Sequence, residues 1–128
     1  MSTPAINTVA WFEVATDDPD GAQRFYGDLF GWRFAPFAGS EALGMDYRLI
    51  RYGEDAPPQG GVYGTGGDRP NHAIFVVRVA DVTATCERAE RLGGKVINKI
   101  VGNEVGPEFA YLRDVSGNVF GVFRPRPA

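Results

Sequence analysis

The sequence predicts an α+β fold of two tandem βαβββ modules with their sheets curled around a cleft. Three observations predict it. The chain partly matches itself when shifted by 63 positions. Each half runs through the same order of apolar patterns, one strand, one helix and then three strands. The 128 residues are 44% hydrophobic and 23% charged, the balance of a packed globular domain rather than a disordered chain.

The self-match places Ala10 on Ala73, Phe12 on Phe75, Val14 on Val77 and Asp18 on Asp81. It continues with Leu29 on Leu92, Gly31 on Gly94 and Leu49 on Leu112. One domain over residues 1–128 is expected: module 1 over about 1–64, a Gly/Pro-rich linker over about 64–70, and module 2 over about 71–128.

In module 1, NTVAWFEVA alternates apolar and polar residues and is rich in β-branched and aromatic side chains, so it reads as a strand. Asp18 then caps a helix, Pro19 suits its first position and Asp20 favours its positive end. Ala22, Phe25, Tyr26, Leu29 and Phe30 form one apolar stripe, and Gly31 ends the helix. Strands follow at WRFAPF, MDYRLIRY and GGVYG. Module 2 repeats the plan with the strand HAIFVVRV and a helix capped by Asp81. Val82, Cys86, Ala89 and Leu92 lie on its inner face, and Gly93 and Gly94 close it. The strands KVINKI, EFAYLRD and NVFGVF follow, with Ser116-Gly117 as the last turn.

Strand neighbours alternate between faces. Ala10, Phe12 and Val14 are identical to Ala73, Phe75 and Val77, while Trp11, Glu13 and the rest of the other face differ at every position. The face that meets the module's own helix sees the same surroundings twice and keeps its residues. The divergent face is the cleft face, which makes Trp11, Glu13, His72, Ile74 and Arg78 candidate site residues.

Composition excludes several classes. One cysteine permits no internal disulfide, and one Cys with one His cannot build a zinc finger. Net charge −3 with no basic run argues against nucleic acid. No apolar stretch approaches the length of a membrane helix, and MSTPAINTVAW lacks the features of a signal peptide, so the expectation is a cytoplasmic protein with no membrane partner. The glycine loops lack phosphate-binding spacing, and DPDG lacks the downstream Glu of a calcium loop.

The segment from DDP to RFYGDLFGW resembles the vicinal-oxygen-chelate superfamily of glyoxalase I, bleomycin-resistance proteins and extradiol dioxygenases. HAIFVVRVADVTATCERAERLGGKVI is similar to the start of that superfamily's second module, and YLRDVSGNVFGVF to its closing strand pair. The resemblance implies paired modules around a metal or ligand site, and commonly a homodimer. It places metal ligands where this chain has Trp11, Ile74, Gly121 and, on the fourth strand, GGVYG with Tyr63. None is a strong ligand, so no metal and no cofactor are expected. The alternative is a shifted divalent ion on Glu13 and His72, with Glu104 or Glu108 moved in.

Glu13 and His72 are the candidate catalytic groups. A carboxylate among Trp11, Phe12 and Val14 needs a partner to be buried, and His72 is the one side chain that ordinarily titrates near neutrality. A plain structural reading pairs Glu13 with Arg48 or Arg78 and leaves His72 as a packing residue. Cys86 reads as an inert core thiol. Tyr47, Tyr63, Tyr111 and Phe123 are candidates for a hydrophobic pocket, with Trp11, Ile74 and Arg78 completing the ligand-binding set. The first functional expectation is a protein that binds an aromatic or otherwise hydrophobic small molecule. Trp11, Tyr63 and Phe123 would stack on it while Glu13 and His72 orient its polar groups. The second is a glyoxalase-like lyase or isomerase with Glu13 as general base, and the third is a protein-interaction module.

Overall fold

The computed structural model describes residues 5–38, 40, 44–102 and 107–125. Their elements run β1 (Thr8–Thr16), α1 (Pro19–Phe30), β2 (Arg33–Pro36), β3 (Asp46–Arg51) and β4 (Gly60–Gly64), then β5 (His72–Arg78), α2 (Val82–Arg91), β6 (Lys95–Ile100), β7 (Glu108–Arg113) and β8 (Val119–Arg124). The plan is βαβββ twice. The chain divides into two compact units, Trp11–Ala73 and Met1–Ala10 with Ile74–Ala128.

In the first unit the strands lie in the order β2-β3-β4-β1. The first three are antiparallel, and β1 joins β4 in parallel. The Asp18 side chain accepts the Gly21 N–H at 3.0 Å and so holds the start of α1. Gly31 ends the helix in the left-handed region at φ 74°, where a side chain would be strained. Phe12, Val62 and Ile50 face α1, and Phe12 reaches it through Trp32, whose ring is 5.7 Å away and stacks on Tyr26.

The predicted stripe on α1 is rotated from its expected place. Phe25, Leu29 and Phe30 are all more than half exposed, and no residue of α1 is fully buried. The helix instead meets the sheet along Ala22, Gln23, Tyr26 and Gly27. Gln23 Oε1 accepts a hydrogen bond from Arg48 of β3 at 3.0 Å. A Cβ on Gly27 would already sit 3.7 Å from the Phe34 ring of β2. That is ordinary contact distance, and the large apolar residues Phe25, Leu29 and Phe30 are turned outward.

The second unit repeats the order as β6-β7-β8-β5, again with the last pair parallel. Asp81 caps α2 by accepting the Ala84 N–H at 2.9 Å. Val82 and Cys86 of α2 pack with Val79, Ala110, Leu112 and Val122 in a buried core, with Val77 and Phe120 against it. Burial pushes the Cys86 thiol pKa up, as suits an inert thiol. Leu92 does not share this face, because α2 ends at Arg91 and Leu92 is left largely exposed. The Asn7 N–H bonds to the Arg78 carbonyl at 2.6 Å and ties the leading segment to the end of β5.

The ungapped repeat register holds only as far as the helices. α1 has 12 residues and α2 has 10. After them the equivalence becomes Gly31 with Gly93, both left-handed, rather than Gly31 with Gly94. Leu49 corresponds to Tyr111 rather than Leu112. Leu49 pairs with Gly61 across its sheet, as Tyr111 does with Gly121. Leu112 corresponds to Ile50, and both are wholly buried. Arg51 and Arg113 become equivalent too, and each donates from Nη1 to a carbonyl of the following turn, Ala56 at 2.9 Å and Gly117 at 3.0 Å. On the fourth strands Gly61 matches Gly121 and Tyr63 matches Phe123.

Candidate functional site

The first unit carries a hydrogen-bonded set on the sheet face opposite α1. Alternation along β1 puts Trp11 and Glu13 on that face, and the registers of β3 and β4 bring Tyr47, Gly61 and Tyr63 beside them. The Trp11 Nε1–H donates to the Tyr47 hydroxyl at 2.9 Å. That hydroxyl stands near the Glu13 carboxylate, which is only 3% exposed. Burial raises the Tyr47 pKa well above the ordinary tyrosine value, and the nearby Glu13 charge adds to the rise. Tyr47 therefore stays protonated, and its hydroxyl accepts from Trp11. With its N–H given to Tyr47, Trp11 offers a ligand its ring.

Two glycines set the spacing. A Cβ on Gly61 would collide with the Tyr47 ring, and one on Gly60 with the Phe12 ring on the other face. The Gly60-Gly61 doublet within a strand was the sequence signal for this close approach. Tyr63 lies with its ring centroid 6.4 Å from that of Tyr47, and Arg69 sits over Tyr63 at 5.7 Å. Phe37 stands edge-on to Tyr47 at 6.0 Å. Gly61, Phe37 and Arg69 are the residues here that sequence reasoning missed.

His72 follows Asn71, whose side chain clamps Asp17 by accepting its N–H at 3.0 Å and donating to its carboxylate at 3.1 Å. His72 Nε2 is shut off from solvent without a hydrogen-bond partner among the described residues. Burial, and secondarily the Arg69 charge, lower its pKa, so it is neutral at neutral pH. Arg48 is not the partner of Glu13. It lies on the α1 face, bonded to Asp20 at 2.8 Å and Asp46 at 3.1 Å. With Gln23, Phe34, Ala35, Pro36, Ser40, Asp46 and Tyr47 it lines a separate cavity of about 360 Å³.

The other candidates lie in the second unit. Ile74 is half-buried on β5, and Arg78 ends that strand opposite Phe123 of β8. Phe123 pairs with Phe109 on β7, and Tyr111 packs edge-on against Phe109 at 5.8 Å. The repeat makes a sharp contrast here. Where the first unit has Trp11, Glu13, Tyr47 and Tyr63, the second has Ile74, Val76, Phe109 and Phe123. Every hydrogen-bonding side chain of the set is answered by an apolar one.

The donors a divalent ion needs can be tested on these residues. Trp11, Ile74 and Gly121 offer no side-chain ligand, and the Trp11 N–H is already committed. Both Glu108 oxygens are engaged, one with Arg124 at 3.0 Å and one with the Gly102 N–H at 2.9 Å. Glu104 lies outside the described residues. Among the described residues no three His, Cys, Asp or Glu side chains converge.

Paired βαβββ modules, one of them bearing a buried polar set, define a class. The chain belongs to the Glyoxalase/Bleomycin resistance protein/Dioxygenase superfamily, whose family model matches residues 8–122. Among curated proteins it is 32% identical over 126 residues to CFP32 of Mycobacterium bovis, whose name assigns it provisionally to the glyoxylases. That match takes in 94% of this chain and 45% of CFP32, so the chain spans about half the length of that relative. It is 29% identical over 117 residues to a glyoxylase-like domain-containing protein of Didymella fabae, covering 89% of this chain and 91% of the other. Among solved structures, methylmalonyl-CoA epimerase from Mycobacterium tuberculosis superposes with TM-score 0.64 at 18% identity, covering 99% of this chain and 94% of that one. That likeness bears on the fold alone. Among the described residues no helix is long and apolar enough to cross a membrane.

Proposed function

We propose that this protein binds an aromatic or otherwise hydrophobic small molecule on the sheet face bearing Trp11, Tyr47 and Tyr63, without a divalent ion. The observation that carries this reading is the buried Trp11–Tyr47–Glu13 set. It costs desolvation, it is absent from the equivalent positions of the second module, and it leaves an aromatic ring presented beside an oriented carboxylate. Trp11 and Tyr63 supply stacking area, Glu13 reads a donor group on the ligand, and neutral His72 offers an unused ring nitrogen. The proposed setting is the cytoplasm, and the proposed assembly is a homodimer, which light scattering would test.

A second reading has one specific support. A buried carboxylate near a phenol is a candidate general base, and curated relatives carry glyoxylase names. In that case the protein is a lyase or isomerase with Glu13 removing a proton from a carbonyl substrate.

Titrating a panel of aromatic ligands while following tryptophan fluorescence separates the readings. Binding predicts a response that Trp11→Phe removes and Glu13→Gln weakens only modestly. Catalysis predicts that Glu13→Gln abolishes turnover of glyoxal-type or acyl-CoA substrates while ligand still binds. A fluorescence signal flat across the panel would overturn the binding reading. A stoichiometric divalent ion in protein purified without chelator would overturn its metal-free form.

A further inference from the structure

Among the described residues Arg78 is the one arginine that the fold partly shields without supplying a partner. Among the described residues three arginines lie between full exposure and full burial: Arg48, Arg51 and Arg78. Arg48 is bonded to Asp20, Asp46 and Gln23, and Arg51 to the Ala56 carbonyl. Arg78 has its Nε sealed from solvent with no acceptor, and neither amino group is in an ion pair or hydrogen bond among the described residues. The amino groups are not sealed off, so an incoming group can reach them. Sealing a guanidinium N–H from water without an acceptor costs free energy, and an oxyanion bound at the same group is one remedy.

The surroundings fit a ligand rather than a missing structural partner. Arg78 stands where the first module has Ala15, so the repeated architecture does not need a charge there. Its strand partner is Phe123, and one step along the same face Val76 lies opposite Gly121. Gly121 leaves bare backbone between Val76 and Tyr111. The nearest charged pair along these strands, Arg124 with Glu108, is already satisfied at 3.0 Å.

The geometry points to Arg78 as an oxyanion-recognition residue. Its guanidinium takes a carboxylate or phosphate of an organic ligand whose apolar body lies against the half-buried Phe123. Arginine suits this role because its planar fork grips two oxygens of either group at once. The site lies within the second unit and does not depend on the face bearing Trp11.

The test compares thermal melts of the wild type and Arg78→Met with naphthoate, naphthyl phosphate and neutral naphthamide, three probes sharing one apolar body. Without ligand, Arg78→Met should raise the melting temperature by a few degrees, because it removes an unpaired charge. A lower melting temperature would show a structural role and overturn the proposal. In the wild type at least one anion should raise the melting temperature while naphthamide does not. The two anion arms show which oxyanion is preferred, and Arg78→Met should abolish the shift. Equal shifts with all three probes would overturn the anion assignment and leave the binding reading standing. An anion-specific shift that survives Arg78→Met would also overturn it. No shift with either anion overturns it, and a Trp11 signal flat across the wider panel would then remove the binding reading as well.

Discussion

The Tyr47 hydroxyl accepts from Trp11 and stands near the buried Glu13 carboxylate. Tyr47→Phe should leave the Trp11 N–H without its acceptor and cost about 1–3 kcal/mol in denaturant unfolding. Two proton linkages follow from the same unit. Tyr47 keeps its proton in the folded state beyond the pH at which the unfolded chain loses it. Stability should therefore be unaffected by Tyr47 below about pH 10 and fall as pH rises above that. Tyr47→Phe should remove that fall and the latest step of an ultraviolet tyrosine titration. His72 runs the other way, because its folded pKa is lowered and the unfolded chain takes up the proton first. Stability should fall as pH drops below 6.5 until the folded pKa is passed. The chain has one histidine, so His72→Gln should flatten the slope above the carboxylate range. The residue types in the set were legible as candidates from strand alternation. Their bonding was not, because the meeting of Trp11 with Tyr47 depends on the β1–β4–β3 register across 36 positions of sequence.

At the scale of elements, the boundaries were readable because they are written in local chemistry: Asp18 and Asp81 as caps, Gly31 as terminator, alternation in the strands. The rotation of α1 was not. A stripe pattern says which residues are apolar but not which of them a sheet touches. Gly27 and Gln23 win the contact because a bare backbone approaches Phe34 more closely than a phenylalanine could. The leucines make the difference measurable. Leu29→Ala on α1 should change stability by no more than about 0.5 kcal/mol. Leu112→Ala on β7, at 0% exposure, should cost about 2–5 kcal/mol. The slip in the repeat was hidden for a related reason, since the shortening of α2 leaves the strand residues on their proper faces while moving their numbers.

For the molecule as a whole, two copies of one plan carry different duties. The helix-facing residues repeat, and the opposite face holds its hydrogen-bonding set in one copy only. This asymmetry was foreshadowed by the divergent face of β1 and β5. Its sense became visible once Phe109 and Phe123 could be matched with Tyr47 and Tyr63. A variant that writes the second module's residues into the first, combining Trp11→Ile, Glu13→Val and Tyr47→Phe, should therefore fold. Because the polar groups leave together, its stability loss should be smaller than the sum of the three single losses. Circular dichroism should be retained and the ligand response lost.

Gly61 has a consequence for how such proteins drift. The ring of Tyr47 occupies the space a Cβ would need, so the two positions are not independent characters. Gly61→Ala alone should cost about 1–3 kcal/mol through overpacking, and a smaller residue at position 47 should recover part of it. In a lineage of sequences the two sites should change in concert: glycine kept wherever an aromatic ring stays opposite, and side chains admitted at 61 only after that ring has gone.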